Sequence, residues 1–113
     1  MPDYSINFPD FFDDEEWIIE SKGWIILVFR YKNGNYELSF YDPVRLMQTI
    51  NDDLNSNQYF LQENLIVITN VNKINIENVI QDFVSHPKLI ENLKIKTDSL
   101  ESVFYINYLL TIW

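Results

Sequence analysis

The length, composition and charge of this chain limit what it can be. Its 113 residues are enough for one domain with a hydrophobic core, and its 47% hydrophobic content argues against an acidic, disordered tail. With 17 acidic residues against 8 basic ones, the net charge of −9 disfavours nucleic acid and anionic membranes as ligands and favours a basic protein partner.

The absence of cysteine and of targeting signals further limits the class of protein to which the chain can belong. Without cysteine, neither a disulfide framework nor thiolate chemistry is available. The N-terminus has neither the basic region nor the apolar run of a signal peptide, and the longest apolar run, Trp24–Phe29, is too short to span a bilayer. We therefore predict a cytoplasmic protein that forms a single domain over residues 1–113.

The N-terminal segment, residues 1–16, mixes acidic and aromatic side chains and is expected to pack at the edge of the domain. The first twenty residues hold seven carboxylates and no lysine or arginine. The aromatic side chains either tuck beneath the sheet or anchor a partner within an acidic rim, and different residues can take different roles. The acids are either solvated surface or a docking surface. Their concentration before the first basic residue, Lys22, favours docking. The candidate partner-binding residues are Asp10, Phe12, Asp13, Asp14, Glu15, Glu16 and Trp17.

The dipeptide Asn33-Gly34 predicts a β-hairpin, because it tolerates positive φ at both central positions of a type I′ turn. With the turn there, one apolar face pairs Tyr31 with Tyr36, Phe29 with Leu38 and Leu27 with Phe40. The opposite face pairs Arg30 with Glu37, so the apolar pairs and the charged pair lie on different faces of the hairpin. Residues 16–20 are a candidate for a further strand before the hairpin.

A helix is predicted to begin at Asp42-Pro43, because Asp42 can cap it and Pro43 suits the first helical position. The segment 55–57 is expected to end it as a loop. Its buried stripe is expected to comprise Leu46, Met47, Ile50 and Leu54. Asp52 and Asp53 are expected on its solvent side and are the second-choice partner-binding residues.

The second half of the chain alternates strand and helix patterns. The β-branched run 65–68 predicts a central strand buried on both faces, with residues 59–62 as its hairpin partner. The next helix is expected to be capped by Asn75 and to end at His86, before Pro87. Its apolar stripe has helical spacing and comprises Ile76, Val79, Ile80, Phe83 and Val84.

Two shorter patterns complete the chain. A short helical piece over 88–93 is a further candidate, and residues 103–113 alternate apolar and polar side chains, which favours a strand. Together the elements predict an α+β fold, a mainly antiparallel β-sheet with two to three helices packed on one face.

No catalytic or metal-binding motif accompanies these elements. His86 is the only histidine, and its place at a helix end is explained by a favourable interaction with the helix dipole. The acids at 13–16 are adjacent in sequence, and such acids rarely converge on one cation. No phosphate-binding glycine loop or nucleophile elbow is present. We therefore expect no catalytic residue, no metal and no cofactor, and a protein that is not an enzyme.

The layout over residues 8–85 resembles that of bacterial immunity proteins, the neutralising partners of contact-dependent growth inhibition and other polymorphic toxins. The similarity consists of an acidic aromatic N-terminus, a hairpin, the run Tyr41–Leu46 opening a helix, and the run Leu65–Ile68 before another helix. The resemblance implies a stoichiometric, non-catalytic inhibitor of a cognate toxin domain, often a nuclease, whose basic surface suits an acidic inhibitor. The alternative is an acidic adaptor or regulatory module without a toxin partner.

Overall fold

A computed structural model describes residues 4–95 of the chain, and within them it contains four strands and four helices. The predicted strand over residues 103–113 lies outside the described residues. In chain order the elements are β1 (Tyr4–Asn7), α1 (Phe12–Lys22), β2 (Trp24–Tyr31), β3 (Gly34–Tyr41), α2 (Pro43–Asn57), β4 (Leu65–Val67), α3 (Lys73–Ser85) and α4 (Lys88–Glu91).

The four strands form one sheet in the order β1-β2-β3-β4. The first two pairings are antiparallel, and β3 and β4 pair in parallel because α2 connects them as a crossover. This mainly antiparallel sheet with its helices confirms the predicted α+β fold class.

The hydrophobic core lies between one face of the sheet and three of the helices. Side chains alternate along a strand, so the buried Leu27 and Phe29 of β2 and Leu38 and Phe40 of β3 share that face. The helices α1, α3 and α4 cover it with the buried side chains of Phe12, Ile19, Ile76, Ile80 and Ile90. Helix α2 contributes no buried residue.

The hairpin forms, but the predicted position of its turn is wrong by one residue. The loop is Lys32-Asn33, and positive φ occurs at Lys32 (53°) but not at Gly34. The register therefore differs from the predicted one by two residues, with Phe29 opposite Tyr36 and Leu27 opposite Leu38. Because side chains repeat every two residues, this shift keeps the same side chains on the same face, and the predicted apolar face is the buried one.

The predicted strand over residues 16–20 is wrong, because these residues belong to α1. The helix has acids in its first turn and Lys22 in its last, both of which suit the helix dipole, and Gly23 caps it at φ 80°. The strand of the N-terminal segment is instead β1, which pairs with β2 at one end of the sheet order.

Helix α2 begins as predicted but packs differently. The Asp42 side chain accepts a hydrogen bond from the Arg45 backbone N–H at 2.7 Å, and Pro43 occupies the first turn. The helix runs through residues 55–57, which were predicted as a loop. Its predicted buried stripe is wrong, since Met47 and Leu54 are 57% and 46% exposed.

The strand β4 is shorter and less buried than predicted. It has three residues, it lies at the end of the sheet order, and Val67 is 48% exposed, so it is neither central nor buried on both faces. Residues 59–62 form no strand, and the pairing partner of β4 is β3.

The helix α3 and the short α4 follow the predictions closely. The cap of α3 is Asn72 rather than Asn75, because Asn72 Oδ1 accepts from the Asn75 backbone N–H at 2.9 Å. The helix ends before Pro87, as predicted, with His86 at its C-cap. The residues Ile76 and Ile80 of its stripe are buried in the core, and α4 lies within the predicted range 88–93.

We expect Gly23→Ala to lower the free energy of unfolding by about 2 to 3 kcal/mol. An alanine Cβ at this positive φ would lie 2.5 Å from Asp42 Oδ2 and 2.8 Å from Arg45 Cβ, so it would displace the cap of α2. Chemical denaturation measures the loss. In the control Gly34→Ala, the Cβ meets only the ends of the Tyr36 and Ile95 side chains at 3.1–3.2 Å, so a cost below about 1 kcal/mol is expected. Equal losses in the two variants would contradict this account.

Candidate acidic docking site

The acids of α1 and the loop before it divide into two groups that face different surroundings. The first group, which we call the capping set, comprises Asp13, Glu16 and Glu20, all of which contact the start of α3. Glu16 Oε2 accepts from the Lys73 backbone N–H at 2.7 Å, and Glu20 Oε2 accepts from Asn72 Nδ2 at 2.8 Å. A carboxylate at a helix N-terminus satisfies an unpaired N–H and interacts favourably with the helix dipole. The capping set therefore holds α1 against α3.

Lys73 adds an ion pair to the contact between α1 and α3. Its Nζ lies 3.0 Å from Asp13 Oδ1 and 5.3 Å from the centre of the Phe8 ring. The hydrogen bond to Asp13, together with the charge of that carboxylate, raises the pKa of Lys73 above its ordinary value. Asp13 is therefore already paired within the protein.

We expect Glu16→Ala to lower the free energy of unfolding by about 1 to 2 kcal/mol, because it removes the hydrogen bond to the first turn of α3. Glu15→Ala is the matched control, since it makes the same chemical change in the same helix, and its expected cost is below about 0.5 kcal/mol. Urea denaturation of both variants measures the difference. Similar costs would mean that the Glu16 contact does not stabilise the fold.

The second group, the outer set, comprises the exposed acids Asp10, Asp14 and Glu15. Their side chains make no hydrogen bond or ion pair to any residue within 4–95. Trp17, in the same segment of the chain, is 69% exposed. Glu15, between Asp14 and Trp17, has non-helical backbone angles (φ −120°, ψ 18°), so the helix is kinked there. The outer set and Trp17 thus share one short exposed segment, residues 10–17, which carries unpaired acids and one large exposed aromatic ring.

The aromatic residues of this segment also divide. Phe12 is 1% exposed, and its ring centre lies 4.7 Å from that of Phe8, so the ring packs in the core. Its predicted role as a partner-binding residue is therefore incompatible with this fold. Phe11, in contrast, is 51% exposed, and sequence reasoning did not select it. Local spacing does not distinguish the two rings, because Phe11 and Phe12 are each followed seven residues later by an isoleucine, Ile18 and Ile19.

The second-choice residues Asp52 and Asp53 lie near the end of α2. Asp52 is exposed, as predicted, whereas Asp53 is half-buried. They are thus separate from the outer set along the chain, and they belong to a helix whose own apolar side chains remain largely exposed.

The described part of the chain offers little for other chemistry. Within residues 4–95 no group of three or more histidine, cysteine, aspartate or glutamate side chains could hold a metal ion. His86 is exposed, and its Nδ1 lies 3.2 Å from the backbone carbonyl oxygen of Asp82 at the end of α3. No helix among these residues is long and apolar enough to cross a membrane.

Comparison with known proteins adds no relative. No protein family, no curated protein and no solved structure matches the chain. The fold alone therefore defines the class, an α+β protein with a mainly antiparallel sheet.

Proposed function

We propose that the protein is an immunity-type inhibitor, which binds a cationic toxin domain and blocks its active site or substrate groove. The observation that carries this proposal is Trp17, a tryptophan that is 69% exposed and lies in the same short segment as carboxylates with no ion-pair partner within residues 4–95. Tryptophan is among the residues that contribute most to binding at protein interfaces. The net charge of −9 suits a partner of opposite sign.

The structure of α1 suits such a role. The helix is fixed on one side by Phe12 and Ile19 in the core and on another by the capping set. A surface held rigidly in this way loses little conformational freedom when a partner binds, which favours affinity. In the proposed complex, lysine or arginine side chains of the toxin meet the outer set, and Trp17 enters an apolar pocket of the toxin.

The alternative is an acidic adaptor or regulatory module that uses the same surface on a partner that is not toxic. The two functions differ in what the partner does to a cell. Affinity purification from the native host with the wild-type chain, with Trp17→Ala as the control, would identify the partner. We expect a basic protein that stops growth when expressed alone and is neutralised by this chain at a one-to-one ratio. A partner that leaves growth unchanged would support the adaptor instead.

The association rate with this partner is expected to fall as salt rises, because opposite charges steer the two proteins together. At physiological ionic strength the electrostatic field of the protein is screened beyond about 8 Å. Most of the electrostatic increase in the association rate should therefore disappear between low and high salt. Stopped-flow measurement of the association rate over a range of sodium chloride concentrations checks this. A rate constant that does not change with salt would show that the excess of acidic residues plays no part in the encounter.

A further inference from the structure

The dipeptide Asn33-Gly34 occurs once in the chain, at the tip of the hairpin. The chain has two glycines, and the other one, Gly23, follows a lysine. Asn33 is the second residue of the loop, and Gly34 is the first residue of β3, where it pairs with Tyr31. The dipeptide is therefore held in the sheet only by the last pair of the hairpin.

The Asn33 side chain is not fixed by the described part of the protein. The residue is exposed, and its amide group makes no hydrogen bond to any residue within 4–95. The turn also does not need a glycine after it, because positive φ occurs at Lys32 and not at Gly34. The amide is thus free to rotate toward the backbone of the next residue.

An asparagine in this setting can react with the backbone nitrogen of the residue that follows it. The Gly34 nitrogen attacks Cγ of Asn33, and the reaction is intramolecular because the two residues are adjacent. A bond forms between this nitrogen and Cγ, and the bond from Cγ to Nδ2 breaks. Ammonia leaves with the proton that the Gly34 nitrogen gives up, and a succinimide ring remains. Glycine has no side chain to hinder the approach of its own nitrogen.

Water completes the reaction. It adds to either carbonyl of the succinimide and opens the ring, which gives aspartate or isoaspartate at position 33. The net reaction consumes a water molecule and releases ammonia, and no oxidant or reductant is needed. In the isoaspartate product the backbone runs through the side-chain carboxyl carbon, so the turn becomes longer by one carbon atom.

An open depression beside the turn gives water access to Asn33. Its volume is about 700 Å³, and the described residues that line it are Tyr4, Ser5, Arg30, Lys32 and Asn33. They include two cations and no carboxylate. Positive charge near the reacting atoms favours both the deprotonated nitrogen that attacks and the carboxylate that forms.

The other asparagines lack this combination. None of them precedes glycine. Asn55 precedes a small residue, serine, but it lies within α2, where the backbone N–H groups are hydrogen-bonded along the helix. The side chains of Asn64, Asn72 and Asn75 make hydrogen bonds of 2.7 to 3.0 Å. We therefore expect the reaction first at Asn33.

We propose that Asn33 is a site of spontaneous deamidation in the folded protein. The tip of a loop opens at a far lower free energy than the whole domain, so the reaction does not wait for global unfolding. The product carries a carboxylate where the protein had a neutral amide. This modification is independent of the proposed function, because it requires no partner.

Mass spectrometry of the purified full chain, incubated at mildly alkaline pH, tests the proposal. We expect the mass increase from amide to carboxylate to appear first in the peptide that contains residues 33–34, with fragmentation showing both aspartate and isoaspartate. Gly34→Ala is the control, because its Cβ hinders the attack. This variant should fold, since the Cβ meets only the ends of the Tyr36 and Ile95 side chains. Circular dichroism verifies its fold, and no conversion is expected over the same period.

The same chain unfolded in guanidinium chloride gives the reference rate. If the reaction required global unfolding, it would be slower in the folded chain by the equilibrium constant of unfolding, about 1000-fold or more. We expect a much smaller ratio between the two rates. A ratio of about 1000-fold or more would overturn the proposal. Equal conversion in the folded Gly34→Ala variant, or conversion at another asparagine first, would also overturn it.

Discussion

Replacing Phe12 with alanine is expected to lower the free energy of unfolding by about 3 to 5 kcal/mol. The side chain is 1% exposed and belongs to the core cluster beneath the sheet, where its ring packs against that of Phe8. Removing it leaves a cavity that the surrounding strands and helices fill only in part. Urea denaturation followed by circular dichroism measures the loss.

Phe11→Ala is the matched control, because it makes the same substitution one residue earlier. Phe11 is 51% exposed, so its replacement is expected to change the free energy of unfolding by less than about 0.5 kcal/mol. A large loss from Phe11→Ala and a small one from Phe12→Ala would mean that α1 presents the opposite side to the core. The outer set would then not be the exposed surface.

Trp17→Ala is expected to weaken partner binding by about 30-fold or more, which corresponds to about 2 kcal/mol, while stability barely changes. Because the ring is 69% exposed, its removal creates no cavity in the core, and any loss of affinity is a loss of contact with the partner. Isothermal titration calorimetry with the purified partner gives the affinity, and Leu61→Ala is the control for losing an exposed apolar side chain. An affinity unchanged by Trp17→Ala would remove this residue from the interface.

The faces of the hairpin were predictable from the sequence, but its register was not. Alternating apolar residues identify the buried face, and a shift of two residues leaves that face unchanged. The turn forms one residue earlier than Asn33-Gly34, at Lys32-Asn33, with positive φ at Lys32 instead of at Gly34. Local turn preference at Asn33-Gly34 does not contain this information.

The prediction that the apolar side of α2 is buried is wrong, because the sequence does not show what packs against the helix. Its sequence is amphipathic, and amphipathic helices usually bury their apolar side. The pattern shows that an apolar side exists, but not which molecule covers it. In the described residues Met47 and Leu54 remain exposed.

The candidate site was predictable in composition but not in arrangement. The sequence identifies the cluster of acids in residues 10–16, whereas their division into a capping set and an outer set depends on where α3 begins. The Glu16 carboxylate and its Lys73 partner are 57 residues apart in the chain. No local pattern distinguishes Glu16 from Glu15, although only Glu16 caps α3.

The most direct test is the growth of cells that express the identified partner with either the wild-type chain or the outer-set variant Asp10→Asn, Asp14→Asn and Glu15→Gln. Exposed charges contribute little to stability, so this variant should fold normally. We predict that the partner alone stops growth, that the wild-type chain restores it and that the outer-set variant restores it poorly at equal expression. A harmless partner, or full protection by the folded variant, would contradict the proposal that this acidic surface neutralises a toxin.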